Sequence, residues 1–201
     1  MKLAVTAANE QLGSAIVKEA VSQLGSRNVI GIARNPEKAV HLGAEIRQGD
    51  YNKREEYEHA LKGIEVVLLV SGMDTPGKRI EQHRNVINAA RTARVRKLVY
   101  TSIFGKQGKG SFDPIIEANR QTEQDIMDSG LAWSIGRNGL YLEADLEYLD
   151  HYFKDGKISD CAGAGRCAFT SRDELARAYL EMITRDHISV AEYINWFRLN
   201  H

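Results

Sequence analysis

Short runs of apolar residues alternate with segments of helical spacing along roughly the first 140 residues of the chain. Several of these runs are apolar without alternation, which is typical of parallel strands that are covered on both faces. A regular exchange of strand and helix predicts successive βαβ units. The predicted strands are Lys2 to Thr6, Val29 to Ala33, Glu45 to Gln48, Val66 to Val70, Lys97 to Thr101 and Ala132 to Arg137.

The intervening segments place apolar residues three or four positions apart, as on one face of a helix. We expect the crossovers to be right-handed and to build a doubly wound parallel sheet of the α/β class, as a single domain over residues 1–201. The strands Val66 to Val70 and Lys97 to Thr101 are expected to be parallel neighbours, close to Lys2 to Thr6. The predicted helices are Gln11 to Leu24, Pro36 to Leu42, Arg54 to Leu61, Arg79 to Arg94, Pro114 to Ser129 and Arg172 to Arg185.

The composition removes several classes of function. Lys plus Arg and Asp plus Glu number 27 each, so the chain lacks the net positive charge that non-specific nucleic-acid binding needs. No apolar run approaches the roughly 20 residues of a membrane span, and none fits a secretory signal. Cys161 and Cys167 are too few for a disulfide framework and have no histidine pair with which to hold zinc. We expect a cytoplasmic protein that binds no metal, membrane or nucleic acid.

The loop after the first predicted strand reads T-A-A-N-E-Q-L-G, where a dinucleotide-binding fold places G-x-x-G-x-x-G. Ala7, Glu10 and Gly13 occupy the three glycine positions. In the full motif the first glycine makes the tight turn, the second lets a phosphate approach, and the third lets the helix pack on the strand. The loop predicts either a phosphate site weakened by the carboxylate of Glu10 or a strand-to-helix turn without a ligand.

Arg34 follows the second predicted strand and is the best indicator of cofactor choice. An acidic residue there accepts the ribose hydroxyls of NAD, whereas a basic residue pairs with the 2′-phosphate of NADP. Lys38 comes four residues later and adds a second positive charge. The pair predicts NADP(H) rather than NAD(H); the alternative is that both are solvated surface cations.

Eight stretches over residues 1 to about 185 carry a family pattern. In order they are V-T-A-A-N-E-Q-L-G, A-R-N-P-E-K-A, R-Q-G-D-Y, Q-H-R-N-V-I-N-A-A, L-V-Y-T-S, N-R-Q-T-E, S-G-L-A-W-S-I-G-R-N-G-L-Y and A-F-T-S-R-D-E-L-A. In them the chain resembles NmrA-like atypical short-chain dehydrogenase/reductases, especially NADPH-dependent quinone oxidoreductases and triphenylmethane reductase. The resemblance implies a Rossmann-like NAD(P)-binding fold and an oxidoreductase that passes hydride to a quinone or a similar electron-poor acceptor.

The resemblance also implies where the cofactor binds. Asp50 and Tyr51 are placed near the adenine, and Asn138 is placed at the border between cofactor and substrate. Asp50 is equally suited to a cap or turn role, and Gly72 to a simple turn. The residues expected to bind cofactor are Thr6, Ala8, Asn9, Gln11, Leu12, Arg34, Lys38, Asp50, Tyr51, Ser71, Gly72 and Asn138.

Three side chains are candidates for catalysis. Ser102 stands where short-chain reductases place the serine that polarises a carbonyl, and is otherwise the exposed start of a loop. Asn119 stands where close relatives often have histidine, and the Y-x-x-x-K pair of ordinary short-chain dehydrogenases is absent. Tyr141 ends the R-N-G-L-Y stretch that borders cofactor and substrate in relatives. We expect Arg137 in that stretch to be a structural ion-pair partner instead.

A second class of function is open to the same fold: a nucleotide-sensing regulator that binds cofactor without turnover and reports it to a partner protein. The altered glycine loop favours this alternative. A small-molecule acceptor is thus the expected partner of a reductase, and another protein that of a regulator.

The end of the chain predicts an assembly. Relatives continue for several tens of residues beyond the last predicted helix, so the apolar tail lacks an obvious partner within the chain, and an exposed patch of that kind marks an interface. We expect a homodimer. The tail residues are Tyr193, Ile194, Trp196, Phe197 and Leu199.

Charge is also uneven along the chain. Residues 77–110 contain nine cations and one acidic residue, whereas residues 111–160 contain eleven acidic and four basic residues. These runs predict solvated faces or complementary subunit patches.

Overall fold

The computed structural model describes residues 1–105, 113–157 and 169–184, and the backbone of residues 191–195. Strands and helices alternate as the apolar pattern predicts. Within these ranges no helix combines the length and the apolar character needed to cross a membrane. The elements are β1 (Leu3–Val5), α1 (Gln11–Leu24), β2 (Val29–Ala33), β3 (Glu45–Gln48), α2 (Arg54–Ala60), β4 (Val66–Val70), α3 (Pro76–Thr92), β5 (Lys97–Ile103), α4 (Asp113–Met127), β6 (Ala132–Asn138), β7 (Leu140–Tyr141), α5 (Leu142–Leu146), α6 (Leu149–Asp155), β8 (Phe169–Thr170), α7 (Arg172–Thr184) and β9 (Ala191–Asn195).

Seven of the strands form one parallel sheet in the order β3-β2-β1-β4-β5-β6-β9. β1 lies between β2 and β4, so the strand order reverses beside β1. β4 pairs with β5 in parallel, with Val66 opposite Lys97 and Val70 opposite Thr101. The α/β class, the Rossmann-like arrangement and the predicted neighbours are confirmed. β7 and β8 form a separate two-stranded pair.

Helices cover both faces of the sheet, which explains the unbroken apolar strands. Leu3 and Val5 of β1 pack in the cluster that contains α1 and α7, whereas Ala4 packs in the cluster on the other face. All three side chains are fully buried. The carboxyl ends of the strands therefore remain as the edge at which loops form a site.

Two differences from the predicted elements bear on the site. The segment predicted as a helix from Pro36 to Leu42 forms two 3₁₀ turns, Pro36–Lys38 and Val40–Leu42, and ends at Gly43 with φ of 72°. The two turns meet at Ala39, whose φ of −115° is far from the helical value of about −63°, so no continuous α-helix forms. β5 continues to Ile103 instead of ending at Thr101, so Ser102 lies inside a strand.

The expectation that the whole tail lacks a partner within the chain is also wrong. The backbone of Ala191–Asn195 forms the edge strand β9, with Tyr193 opposite Ile135 of β6. Trp196, Phe197 and Leu199 lie outside the described residues, as do Cys161 and Cys167. The homodimer stays a prediction.

The uneven charge has a partial explanation within the chain. Arg84 of the basic run and Asp125 of the acidic run form two hydrogen bonds between α3 and α4, at 2.7 and 3.2 Å. Because α3 and α4 pack side by side, the two runs meet across a helix pair. At least one contact between the runs is therefore internal to the chain and not between subunits.

Candidate functional site

A cleft of about 890 Å³ lies along the carboxyl ends of β1 to β6. α3, α4 and α5 and the beginning of α7 complete its walls. It spans the point beside β1 at which the strand order reverses, where open α/β sheets bind their ligands. Of the residues predicted from the sequence, the cleft is lined by Asn9, Gln11, Leu12, Arg34, Asp50, Tyr51, Ser71, Gly72, Ser102, Asn119, Asn138 and Tyr141.

Three predicted cofactor residues are not among those that line the cleft. Thr6 and Ala8 are fully buried beneath the first loop. The Thr6 hydroxyl accepts the Val70 N–H at 2.9 Å and so ties β1 to β4. Lys38 is exposed at the end of a 3₁₀ turn. The side chains of Thr6 and Ala8 therefore support the first loop from behind, and their predicted part in cofactor binding stays a prediction.

The first loop keeps a tight turn without the glycine that usually makes it. Ala7 has φ of +50°, in the left-handed region, and its carbonyl oxygen accepts the Glu10 N–H at 2.9 Å. A Cβ at Gly13 would stand 2.2 Å from that same carbonyl oxygen. Gly13 therefore has the close-packing role that the third glycine has in the motif.

Replacing Ala7 with glycine is expected to raise the free energy of unfolding by about 0.5–1 kcal/mol. An L-residue in the left-handed region costs about 1–2 kcal/mol in the folded state, and glycine removes this strain. Glycine also gives the unfolded chain more conformational entropy, which offsets part of the gain in stability. Urea denaturation measures the change. Ala15→Gly, within α1, is the matched control and should lower stability by about 1 kcal/mol. A loss of stability in both variants would contradict a strained Ala7.

The N-terminus of α1 opens on the cleft and fits a phosphate. Glu10 is the N-cap residue, and no side chain caps the first turn. The first N–H groups of the helix are thus available to an anion. The exposed Glu10 carboxylate also lines the cleft and accepts a hydrogen bond from Asn9 at 2.8 Å. Among the described residues it forms no ion pair, so neither Arg34 nor Lys38 neutralises it.

The loop after β3 combines a turn with a wall of the cleft. Asp50 Oδ1 accepts the backbone N–H of Asn52 at 2.9 Å, which is the turn role that the sequence left open. The Tyr51 hydroxyl donates to the Val70 carbonyl at 2.7 Å, and its ring stacks on Tyr57 with centroids 5.5 Å apart. Burial raises the pKa of Tyr51. Its ring is therefore a fixed, neutral surface on this side of the cleft.

A buried histidine holds the loop after β4. Nε2 of His83 accepts the Gly72 N–H at 3.0 Å. The Thr122 hydroxyl donates to the Ala118 carbonyl and so accepts from His83 Nδ1, also at 3.0 Å. This arrangement assigns the hydrogen to Nδ1, and burial lowers the pKa of His83 to about 3. His83 is neutral and structural, and it fixes Gly72 in the wall of the cleft.

Ser102 is committed to a buried ion-pair network. Its hydroxyl donates to Glu123 Oε1 at 2.5 Å, and Glu123 also binds Arg120 at 2.7 Å and Arg137 at 2.6 Å. Ser102 is only 3% exposed, so the alternative of an exposed loop start is wrong. Its hydrogen is not available to polarise a carbonyl, which corrects the first expectation. The predicted structural role of Arg137 is confirmed.

Asn119 is also held by its neighbours. Its Oδ1 accepts hydrogen bonds from the Tyr100 hydroxyl at 2.6 Å and from the Ser71 hydroxyl at 3.3 Å. Its Nδ2 donates to the Ile115 carbonyl at 2.8 Å. Since Asn119 is 2% exposed and its oxygen is occupied, it orients Tyr100 and Ser71 at the wall of the cleft.

Tyr141 keeps a free hydrogen. Its hydroxyl accepts a long hydrogen bond from Asn138 at 3.4 Å, and Asn138 is itself fixed by Tyr179 at 2.6 Å. The Arg172 guanidinium lies over the Tyr141 ring, 5.0 Å from its centroid. Burial raises the pKa of Tyr141, so it stays protonated at neutral pH. Among the described residues nothing accepts the Tyr141 hydrogen, which leaves it available to a ligand.

Four further residues belong to the site or its support although the sequence did not predict them: Arg79, Gln82, Glu123 and Arg172. An acidic residue on a helix is normally exposed, so no sequence signal marked Glu123 as buried. Nothing in the sequence marked Arg79, which is buried on α3 yet lines the cleft. The described parts of the chain hold no group of three His, Cys, Asp or Glu suited to a metal ion.

Known proteins are similar to this chain in sequence and in fold. Quinone oxidoreductase 2 of Escherichia coli is 35% identical over 187 residues, which are 90% of this chain and 64% of that protein's length. Triphenylmethane reductase of Citrobacter sp., solved with NADP(H), has a TM-score of 0.89 at 31% identity and matches 96% of this chain and 69% of its own. The NADPH complex of an Escherichia coli quinone oxidoreductase has a TM-score of 0.86 at 31% identity, over 95% of this chain and 68% of its own.

The family model described as NAD(P)H-binding matches residues 7–186. That range contains the first loop from Ala7 onward, Arg34, the walls of the cleft and all of α7. This chain spans less than two thirds of the curated Escherichia coli relative. The resemblance found in the sequence is confirmed, and the chain belongs to the NAD(P)H-binding family.

Proposed function

We propose that this chain is an NADPH-dependent oxidoreductase that reduces a quinone or a similar electron-poor acceptor. The single observation that carries the proposal is the cleft at the switch point, bounded by Arg34 at one end and Tyr141 at the other. The relatives described above, one a quinone oxidoreductase with NADPH and one a dye reductase with NADP(H), support the same conclusion.

The cleft supplies separate groups for the two ends of the cofactor. The uncapped N-terminus of α1 faces the position of a pyrophosphate, and Arg34 lies beyond it on the side of β2. Among the described residues, the Arg34 guanidinium forms no hydrogen bond or ion pair; only its backbone carbonyl accepts one, from Gln48. An exposed, uncommitted guanidinium is suited to a 2′-phosphate.

The reaction places limited demands on the side chains. Hydride from the reduced nicotinamide carries two electrons to the quinone and gives the hydroquinone monoanion, which a proton from water converts to hydroquinone. Of the two predicted catalytic hydroxyl groups, those of Ser102 and Tyr141, only the Tyr141 hydroxyl keeps a hydrogen that is free for an acceptor oxygen among the described residues. Ser102 and Asn119 fix the surface on which the acceptor lies.

Glu10 is expected to weaken NADPH binding. Two like unit charges about 4 Å apart repel by about 4 kcal/mol at an effective dielectric of about 20. If solvent and salt screen most of this repulsion between the carboxylate and a phosphate, the remainder is still close to the roughly 1.4 kcal/mol that changes a binding affinity tenfold. Glu10→Gln should therefore tighten NADPH binding about tenfold in a calorimetric titration. Glu10→Gly should gain at least as much because it also removes the Cβ.

Glu19→Gln removes a carboxylate further along α1 and serves as the control, with affinity unchanged. If Glu10→Gln leaves an already tight affinity as it was, the carboxylate points away from the phosphates when cofactor is bound. In that case the loop is less altered than its sequence indicates.

Turnover separates the proposed reductase from a nucleotide sensor. The chain is mixed with NADPH and 2-methyl-1,4-naphthoquinone, and loss of NADPH absorbance is followed against a reaction without protein. Stoichiometric binding with quinone-dependent NADPH consumption is the expected result. Tight binding without any consumption would replace the reductase with the nucleotide-sensing regulator.

A further inference from the structure

Arg79 is a buried cation whose hydrogen-bonding capacity is largely unused. It lies in the first turn of α3, is 5% exposed and lines the cleft. Nη2 donates to the Asp74 carbonyl at 3.1 Å, and Nε is buried without any hydrogen-bond partner. A buried guanidinium normally has its charge and its donors matched, because an unmatched buried charge is costly.

The neighbouring carboxylate does not supply the missing partner. Asp74 forms its ion pair with Lys78 at 2.9 Å and accepts a further hydrogen bond from Gln82 at 3.1 Å. Among the described residues no carboxylate forms an ion pair with Arg79. His83, one turn further along α3, is neutral. Asp74 attracts Arg79 without forming an ion pair with it, so the positive charge of Arg79 is only partly compensated.

The position of Arg79 distinguishes it from the cations expected at the 2′-phosphate. Arg34 follows β2, on one side of β1, whereas α3 crosses from β4 to β5 on the other side. α3 begins after β4 and ends before β5, so Arg79 lies on the β4 side of the switch point, away from β2 and Arg34.

We propose that Arg79 binds the oxygen of the acceptor on which negative charge develops during reduction, and so selects acceptors that form a phenolate-like anion. The proposal rests on the proposed function. Its support is geometric: Arg79 is 5% exposed, lines the cleft, has a donor without a partner, and lies on the same side of β1 as β6 and Tyr141. Arg79 stabilises the hydroquinone monoanion by charge, and water then supplies the proton.

The test uses 4-nitrophenol, whose ionised form has its own visible absorption band, and needs no cofactor. The wild-type chain should bind the phenolate in preference to the phenol, so the apparent pKa of the bound probe falls by about one pH unit or more. Arg79→Lys should keep most of this shift because it keeps the charge. Arg79→Met should abolish it, whereas Arg91→Met, an exposed change on the same helix, should not.

Two results would overturn the proposal: no preference for the phenolate in the wild type, or an unchanged shift in Arg79→Met. Urea denaturation checks that Arg79→Met is folded. If Arg79→Met is not folded, Arg79→Gln is used in its place. In turnover, Arg79→Met should lower kcat for the quinone more than it raises KM. If the phenolate binds but NADPH does not, the anion site at Arg79 is supported and the proposed function is rejected. If NADPH binds but the phenolate does not, only the proposed role of Arg79 is rejected.

Discussion

Replacing Glu123 with leucine is expected to lower the free energy of unfolding by about 3–5 kcal/mol, the largest effect we predict. The carboxylate is 1% exposed and accepts hydrogen bonds from Ser102, Arg120 and Arg137. Leucine would remove the carboxylate that both partly buried guanidinium groups bind. The change would also loosen the end of β5. Glu123 positions Arg120, and Arg120 donates a hydrogen bond to the Ile103 carbonyl at the end of β5, at 3.1 Å.

Asp125→Leu is the matched control for Glu123→Leu. Asp125 is on the same helix and also pairs with an arginine, but the Arg84 side chain is 49% exposed. Pairs of that kind are worth about 0–1 kcal/mol. Urea denaturation at neutral pH measures both variants. Equal losses in the two would show that the buried network has no special weight in the fold.

Replacing Arg34 with alanine is expected to weaken NADPH binding by about 10- to 100-fold and to leave NADH binding nearly unchanged. A charge-assisted hydrogen bond contributes about 1.5–3 kcal/mol, and only NADPH carries the 2′-phosphate that can accept it. The free guanidinium of Arg34 needs no existing contact to be broken before it binds the phosphate. Paired calorimetric titrations with the two cofactors give the selectivity directly.

Arg27→Ala is the control for Arg34→Ala, because it removes the same charge at the amino end of β2, whereas the cleft lies at the carboxyl end. Arg27 is exposed and precedes β2, whereas Arg34 follows it. Selectivity should not change in this variant. Equal weakening of NADPH and NADH in Arg34→Ala would mean that Arg34 holds the loop and does not read the phosphate.

The sequence was sufficient for the buried strands of the central sheet because a strand covered on both faces has a physical signature. A buried parallel strand such as Val66–Val70 must be apolar on both faces, so its sequence is an unbroken run of apolar residues. β9 lacks such a run, since Ala191–Asn195 contains a glutamate and an asparagine. An edge strand is paired on one side only, so its sequence is less constrained.

The site was predictable in its position but not in its bonding. Loop residues such as Arg34 and Asp50 follow strands, and topology alone brings them to one edge. Ser102 was misjudged because its partner Glu123 lies 21 residues away on α4. Arg79 was missed for a similar reason: a cation on a helix is normally solvated, and only packing shows that this one is buried.

The central claim is that the cleft at the switch point binds NADPH, and calorimetric titration of the wild-type chain tests it most directly. The account predicts one saturable site per chain, with NADPH bound more tightly than NADH and the affinity increased in Glu10→Gln. Absence of binding for both cofactors, in the wild type and in Glu10→Gln alike, would contradict it.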